Sequence, residues 1–382
     1  YFKRSEQRIG IGDNRYRGRT GELPITDIDW INPLAEAFLD AAEGMGIPRT
    51  TDYNAGYQFG AGYFQRYIHK GKRVSAAKAF LRPALRRKLT ELRTGKQVVA
   101  LEVDGFKVTG VRYRDSAGGE HVVHARREVI VSAGAVNSPK LLQLSGIGPV
   151  NLLKDIGAPV VVQLAGVGEN LRDHYSVRMT ARVQNVLTIN EYARWPRLPL
   201  EVAKWLGGKP SILAQCPTIA FVHGKSHPSL EESEGYVRAV SCSSEDSPIV
   251  QPNYLKAEQD QRITLAGLRL ARALLNRPEL SSFFEIETLP GHEVRSDDEL
   301  LDFARQYGNT GYHLVGTCRM GPVSDVQAVV DDQLRVHGLE NLRVIDASIM
   351  PMLPSANTFA ATIAIAEKGA DLIKGLTASC TE

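Results

Sequence analysis

The chain has 382 residues, of which 43% are hydrophobic and 23% charged, with a formal net charge of +3. That length allows two domains and a sizeable core. The charge is small and basic residues alternate with acidic ones, so no nucleic-acid footprint is expected. No apolar run is long enough to span a bilayer, so no transmembrane segment is expected. Cys216, Cys242, Cys318 and Cys380 lack metal-type spacing and fit a reducing cytoplasm.

In chain order, Tyr1 to Glu6 lacks an initiator Met and a signal-peptide apolar core, and reads as the middle of a helix. Pro33 followed by Leu34, Ala37, Phe38, Ala41 and Met45 gives one helical face over 30–47. Gly56, Gly60 and Gly62, interleaved with Tyr57, Phe59, Tyr63 and Phe64, form an aromatic loop that reads as core filling. Val74 to Leu81 begins a helix closing near Arg87, with Arg82, Arg86, Arg87 and Lys88 on its solvated face. Residues 98–113 alternate apolar and polar about Asp104-Gly105, the pattern of a hairpin.

Val129-Ile130-Val131 reads as a fully buried strand of a parallel sheet. Ser132-Ala133-Gly134-Ala135 turns at its carboxyl end, where open α/β sheets place their ligands. Ser138-Pro139 is expected to cap the next helix, and Gly146 to stop it. From 150 to 310 strand-like segments (160–162, 177–183, 217–222, 236–240) read as an antiparallel sheet, with a helix over about 258–276.

The run Gly311-Tyr312-His313-Leu314-Val315-Gly316-Thr317-Cys318-Arg319-Met320-Gly321 holds one imidazole among small and apolar residues. Histidine titrates nearest neutrality and suits proton transfer. Alone, His313 reads as a structural histidine. Leu342 to Ser348 is a strand ending in a polar turn, and the prolines at 351 and 354 then forbid a helix. Thr358 to Ile373 is Ala-rich and helical in period, with Asn357 or Thr358 as N-cap and an electropositive start. Cys318 reads as a packed small residue, since no flanking base accompanies it.

Three stretches, in order, carry a family resemblance: Glu128 to Pro149 (Glu-Val-Ile-Val-Ser-Ala-Gly-Ala-Val-Asn-Ser-Pro-Lys-Leu-Leu-Gln-Leu-Ser-Gly-Ile-Gly-Pro), the His313 run, and Leu-Arg-Val-Ile-Asp-Ala-Ser-x-x-Pro followed by Asn357 and the Ala-Glu-Lys helix. The chain resembles the glucose–methanol–choline (GMC) flavin oxidoreductases, in their choline/alcohol-dehydrogenase-like branch. The resemblance implies an α/β (mixed α+β) fold. An FAD-binding Rossmann-like domain would comprise 1–150 and 311–382, with an antiparallel-sheet substrate domain at 151–310. The family's Gly-x-Gly-x-x-Gly turn does not occur in these 382 residues, so the FAD domain is expected as a remnant without its leading unit. Residues 227–235 run directly into a strand where family members usually carry extra strands.

The resemblance further implies FAD-dependent oxidation of a primary alcohol to an aldehyde, with His313 as general base and Asn357 holding the substrate oxygen. An amide donates a hydrogen bond but does not titrate, which leaves His313 as the base of the pair. The implied cofactor-binding residues are Val98, Ala133, Tyr312, Asp346, Ala347, Thr358 and Phe359, the last standing where many members carry Asn. His174, in Gly166-Val167-Gly168-Glu169-Asn170-Leu171-Arg172-Asp173-His174, reads as structural. Oxygen or a quinone-type compound would be the electron acceptor, and no metal is expected. An inactive remnant that binds no FAD, or a flavin-containing lyase, is the alternative.

Overall fold

A computed structural model describes residues 1–88, 90–216, 218–223 and 234–375. The expectations placed on Pro217, on 227–233 and on Cys380 therefore lie outside the described residues.

The molecule is a mixed α/β fold made of small sheets bound together by helices. Its principal core forms around Val129–Val131, which pairs in parallel with Leu342–Val344 although more than two hundred residues separate them in sequence. The helix Gly134–Leu144 leaves the carboxyl end of that pair, and Leu142, Ile147, Val167, Val329, Val330 and Val344 are wholly buried beneath it. Cys318 packs in the same core, where burial pushes its thiol pKa up. The expected burial of the strand holds on one face only. Val131 is buried but Ile130 is 42% exposed, because successive side chains point to opposite faces and this sheet has only two strands.

The helix after this strand begins earlier than Ser138-Pro139 suggests. Gly134 is its first residue, and Ser138 and Pro139 lie inside it. A proline there leaves the carbonyl four residues back without its helical donor. That carbonyl, of Ala135, accepts instead from the Thr317 hydroxyl at 2.6 Å. Ser138 donates to Asp346 at 2.5 Å, tying the helix to the second strand's end. Gly146 follows the helix end with φ +80°, as its position implied.

Asn32 caps Pro33–Gly44, its side chain accepting from Leu34 N at 2.9 Å. The hairpin pairs Lys96–Asp104 with Lys107–Asp115, and Glu120–His124 adds a third strand that the alternation did not foretell. After Val74 the chain makes a wide π-helical turn, Ala77–Leu81, before a short helix Arg82–Arg86.

Between 150 and 310 the pairing is mostly antiparallel: Thr180–Val183 with Phe284–Leu289, and Tyr236–Arg238 with Ile249–Gln251. One segment differs. Val162–Gln163 runs parallel to Ile147–Gly148, because the short helix Val150–Asp155 returns the chain in the same direction. The strand Ala220–His223 pairs with Gly60–Tyr63, and the Pro33–Gly44 helix packs in the same core as Leu274 and Leu280. Phe59 and Tyr63 of the aromatic loop join that core, while Tyr57 stays exposed. Glu258–Leu275 is the long helix expected there.

Candidate active site

Two backbone runs place the histidine. Tyr175–Ser176 pairs antiparallel with Asn309–Thr310, and Arg172 exchanges both backbone hydrogen bonds with Val315. This short ladder carries His174 and His313 side by side. Their Nδ1 atoms stand 3.0 Å apart, with the rings nearly perpendicular at 85°. Gly311 permits the approach: a Cβ there would fall 2.6 Å from the His174 carbonyl oxygen and 3.3 Å from His313 Nδ1. Asp173 fixes the loop from beneath. Its carboxylate accepts from the His313 backbone N–H at 2.8 Å and from the hydroxyls of Tyr254 and Thr310. Burial, then the bond to Asp173, pushes the Tyr254 phenol pKa well up. Tyr312 takes φ +60°, an uncommon conformation for a residue with a side chain, and stands 77% exposed beside His313.

Asn357 arrives from the other side. The 316–320 stretch is laced to 347–349 by Gly316 N to Ala347 O, Cys318 N to Ser348 O and Met320 N to Ile349 O. The chain then runs through its prolines to Asn357, the residue before the helix Thr358–Lys374. Its side chain does not cap that helix. Asn357 Nδ2 lies 3.0 Å from His313 Nε2 instead, joining residues 44 positions apart. The first-turn N–H groups of the helix are thus left without a side-chain cap, and such a start favours an electron-rich group.

The three side chains form one line of hydrogen bonds with a definite polarity. Asn357 Nδ2 can only donate, so His313 Nε2 accepts from it. A neutral His313 then carries its proton on Nδ1, the nitrogen that faces Nδ1 of His174. His313 donates that Nδ1–H to His174, whose Nδ1 accepts it. The His313 lone pair therefore faces the exposed amide. Burial, reinforced by the neighbouring His313, lowers the His174 pKa, which keeps it neutral where a free histidine, near 6.5, would titrate.

The other expected residues separate into groups. Ala133 is exposed at the carboxyl end of Val129–Val131, and Gly134 N donates to Asp346 at 2.9 Å. Asp346 is buried, and its carboxylate also accepts from Ser138 and from the Ser348 N–H and hydroxyl. It is a fastening between two strand ends, with its acceptors already engaged by the protein. Ala347 lies next to it and accepts from Gly316. Thr358 opens the C-terminal helix beside the His313–Asn357 pair. Phe359 turns into the core, its ring 5.0 Å from that of Tyr67 and near-perpendicular to it. Val98 stands on the three-stranded sheet, 39% exposed. His174, expected to be structural, and Asp173, which the sequence did not single out, both lie against His313. Their only signal was an Asp-His pair after a Gly-x-Gly, 139 positions before His313. No group of His, Cys, Asp or Glu among the described residues could hold a metal ion.

Known proteins share this arrangement of chain. The models of the N- and C-terminal parts of the GMC oxidoreductase family match residues 1–176 and 231–366. An oxygen-dependent choline dehydrogenase of Staphylococcus saprophyticus is 35% identical over 98% of this chain and 73% of its own length. The mitochondrial choline dehydrogenase of Homo sapiens is 37% identical over 98% of this chain and 69% of its own. Among solved structures, pyridoxine 4-oxidase from Mesorbium loti superposes with a TM-score of 0.81 at 30% identity, covering 99% of this chain and 76% of that one.

Proposed function

The chain belongs to the GMC oxidoreductase family, enzymes that oxidise CH–OH groups with FAD, and on that premise we propose that it converts a primary alcohol to the aldehyde. His313 Nε2 takes the hydroxyl proton and Asn357 Nδ2 donates to the substrate oxygen. The carrying observation is the polarity of the His174–His313–Asn357 line, which leaves the His313 lone pair facing the amide.

The chain's residues fit the tricyclic end of FAD. Gly134 has φ +82°, and a Cβ on it would meet no atom within 4 Å, so backbone lies open at the strand ends. The uncapped start of the Thr358–Lys374 helix lies beside the His313–Asn357 pair. Ala133, Ala347 and Thr358 would hold the flavin through backbone groups, with Gly134 leaving room for it, Tyr312 and Val98 contributing side chains and Phe359 its backbone. FAD, when bound, accepts the hydride from the substrate carbon. The residues here manage the proton. As the carbon loses hydride, the oxygen loses its proton to His313, the C–O bond becomes C=O, and His313 becomes an imidazolium. Both imidazolium N–H groups then have partners, because His174 Nδ1 accepts one and the substrate oxygen the other. His174 is thus a positioning residue, fixing which nitrogen of His313 is the base. Oxygen or a quinone-type compound would reoxidise the cofactor.

The test is anaerobic stopped-flow reduction of the flavin-loaded protein by a series of primary alcohols. His313→Ala should slow reduction by about 10²- to 10⁴-fold, the usual contribution of a general base. An unaltered rate in that variant removes His313 from the reaction and overturns the assignment.

A further inference from the structure

The helix Leu198–Leu206 is inside out. Its one carboxylate, Glu201, is 1% exposed, bonded by Lys204 Nζ at 2.6 Å and by Ile212 N at 3.0 Å. Its outward positions are Pro199, Leu200, Val202, Ala203 and Leu206, all exposed and none charged. Leu200 is 59% and Leu206 72% exposed, and Trp195, just before the helix, is 84% exposed. Scattered exposed apolar residues are ordinary, but five on the outside of one helix with its charges turned inward are not.

Cations lie at both ends of this helix and on the hairpin beside it. Arg194, Arg197 and Lys209 flank the helix, all exposed. The hairpin Ile68–Arg73 is pinned to it by Trp205 Nε1 donating to Gly71 O at 2.7 Å, and it adds exposed Lys70, Lys72 and Arg73. Between 191 and 210 the only carboxylates are Glu191 and Glu201. Glu201 is paired with Lys204, so Glu191 is the one acidic charge in that span, against the cations of Arg194, Arg197 and Lys209.

We propose that this face docks on an anionic lipid surface. Leu200, Leu206 and Trp195 enter the boundary between headgroups and acyl chains, and the six cations meet the lipid phosphates. A short helix with Trp and Leu on one side and a Lys/Arg rim is suited to lie in that boundary, and each cation near such a surface contributes about 1 kcal/mol. Charge decides against a second copy of the chain as the occupant. A two-fold contact sets the same patch against itself and would oppose one cationic rim to another. The attachment is peripheral: no helix of the described residues is long and apolar enough to cross a membrane.

The experiment is co-sedimentation of the protein with two sets of vesicles, one of phosphatidylcholine alone and one of equal parts phosphatidylcholine and phosphatidylserine. Wild type should sediment with the mixed vesicles about tenfold more strongly than with phosphatidylcholine, and added salt should weaken the binding. The double variant Leu200→Glu, Leu206→Glu should lose binding about tenfold or more, and Trp195→Glu should do so in part. Circular dichroism of the variants reports whether the fold is kept. Equal sedimentation of wild type and double variant, or none by wild type, overturns the proposal. So does sedimentation equilibrium showing a dimer that the double variant abolishes.

Discussion

Two helices of this molecule use their apolar residues in opposite ways. Thr358–Lys374 buries Ile363, Ala364 and Gly369, with Asp371 buried near its end and bonded by Arg4, and begins beside His313 and Asn357. Leu198–Leu206 buries Glu201 and turns Leu200 and Leu206 outward. The first follows the rule that an apolar stripe seeks the core. In the second, the inner position is polar because the bend into Ser211–Ala214 leaves an N–H at Ile212, and a carboxylate satisfies it. An apolar period thus states that a face avoids water, and the neighbouring backbone decides what lies on the opposite side.

Unfolding measurements can break this contrast. The largest loss is expected on the conventional side, where Leu142 is fully buried under the parallel strand pair. Leu142→Ala should cost about 2–5 kcal/mol in denaturant unfolding, the span for a leucine deleted from a tight core. Glu201→Ala should cost less, about 1–3 kcal/mol, by leaving the Ile212 N–H without its partner. Burial pushes the Glu201 carboxyl pKa up, but the bonds from Lys204 and Ile212 outweigh it and hold the group below its usual value. A carboxyl depressed in the folded state contributes stability fully present above the unfolded value of about 4.3 and lost as pH falls through the lower folded one. The variant should therefore show a flatter acid limb in stability against pH. The smallest effect belongs to the outward face, where Leu200→Ser should change stability by no more than about 0.5 kcal/mol. A large loss there would mean that the leucine is packed in solution, and the contrast would fail.

The same contrast measures what could be read in advance. Elements with strong local signals were legible: Pro33 opens its helix as read, and Glu258–Leu275 follows its apolar period. The hairpin at Asp104-Gly105 likewise forms where the turn residues place it. Signals that depend on a distant partner misled. Ser138-Pro139 resembles a helix start, yet Thr317 supplies the hydrogen bond that lets the proline sit inside the helix. Asp346, expected near the cofactor, also ties the two strand ends together through Gly134 and Ser138, a link no local pattern announced.

For the site, the residue order alone determined the family, the candidate base His313 and its amide partner Asn357, because motif identity is a local property of the chain. Only the tertiary structure decided that His174 is the third member, and which nitrogen of His313 carries the lone pair. That decision rests on a 3.0 Å contact between residues 139 positions apart and on the Asn357 amide nitrogen 3.0 Å from the other ring nitrogen of His313. A hydrogen bond's direction depends on every partner in its line, and no spacing within a sequence specifies partners brought together by the fold.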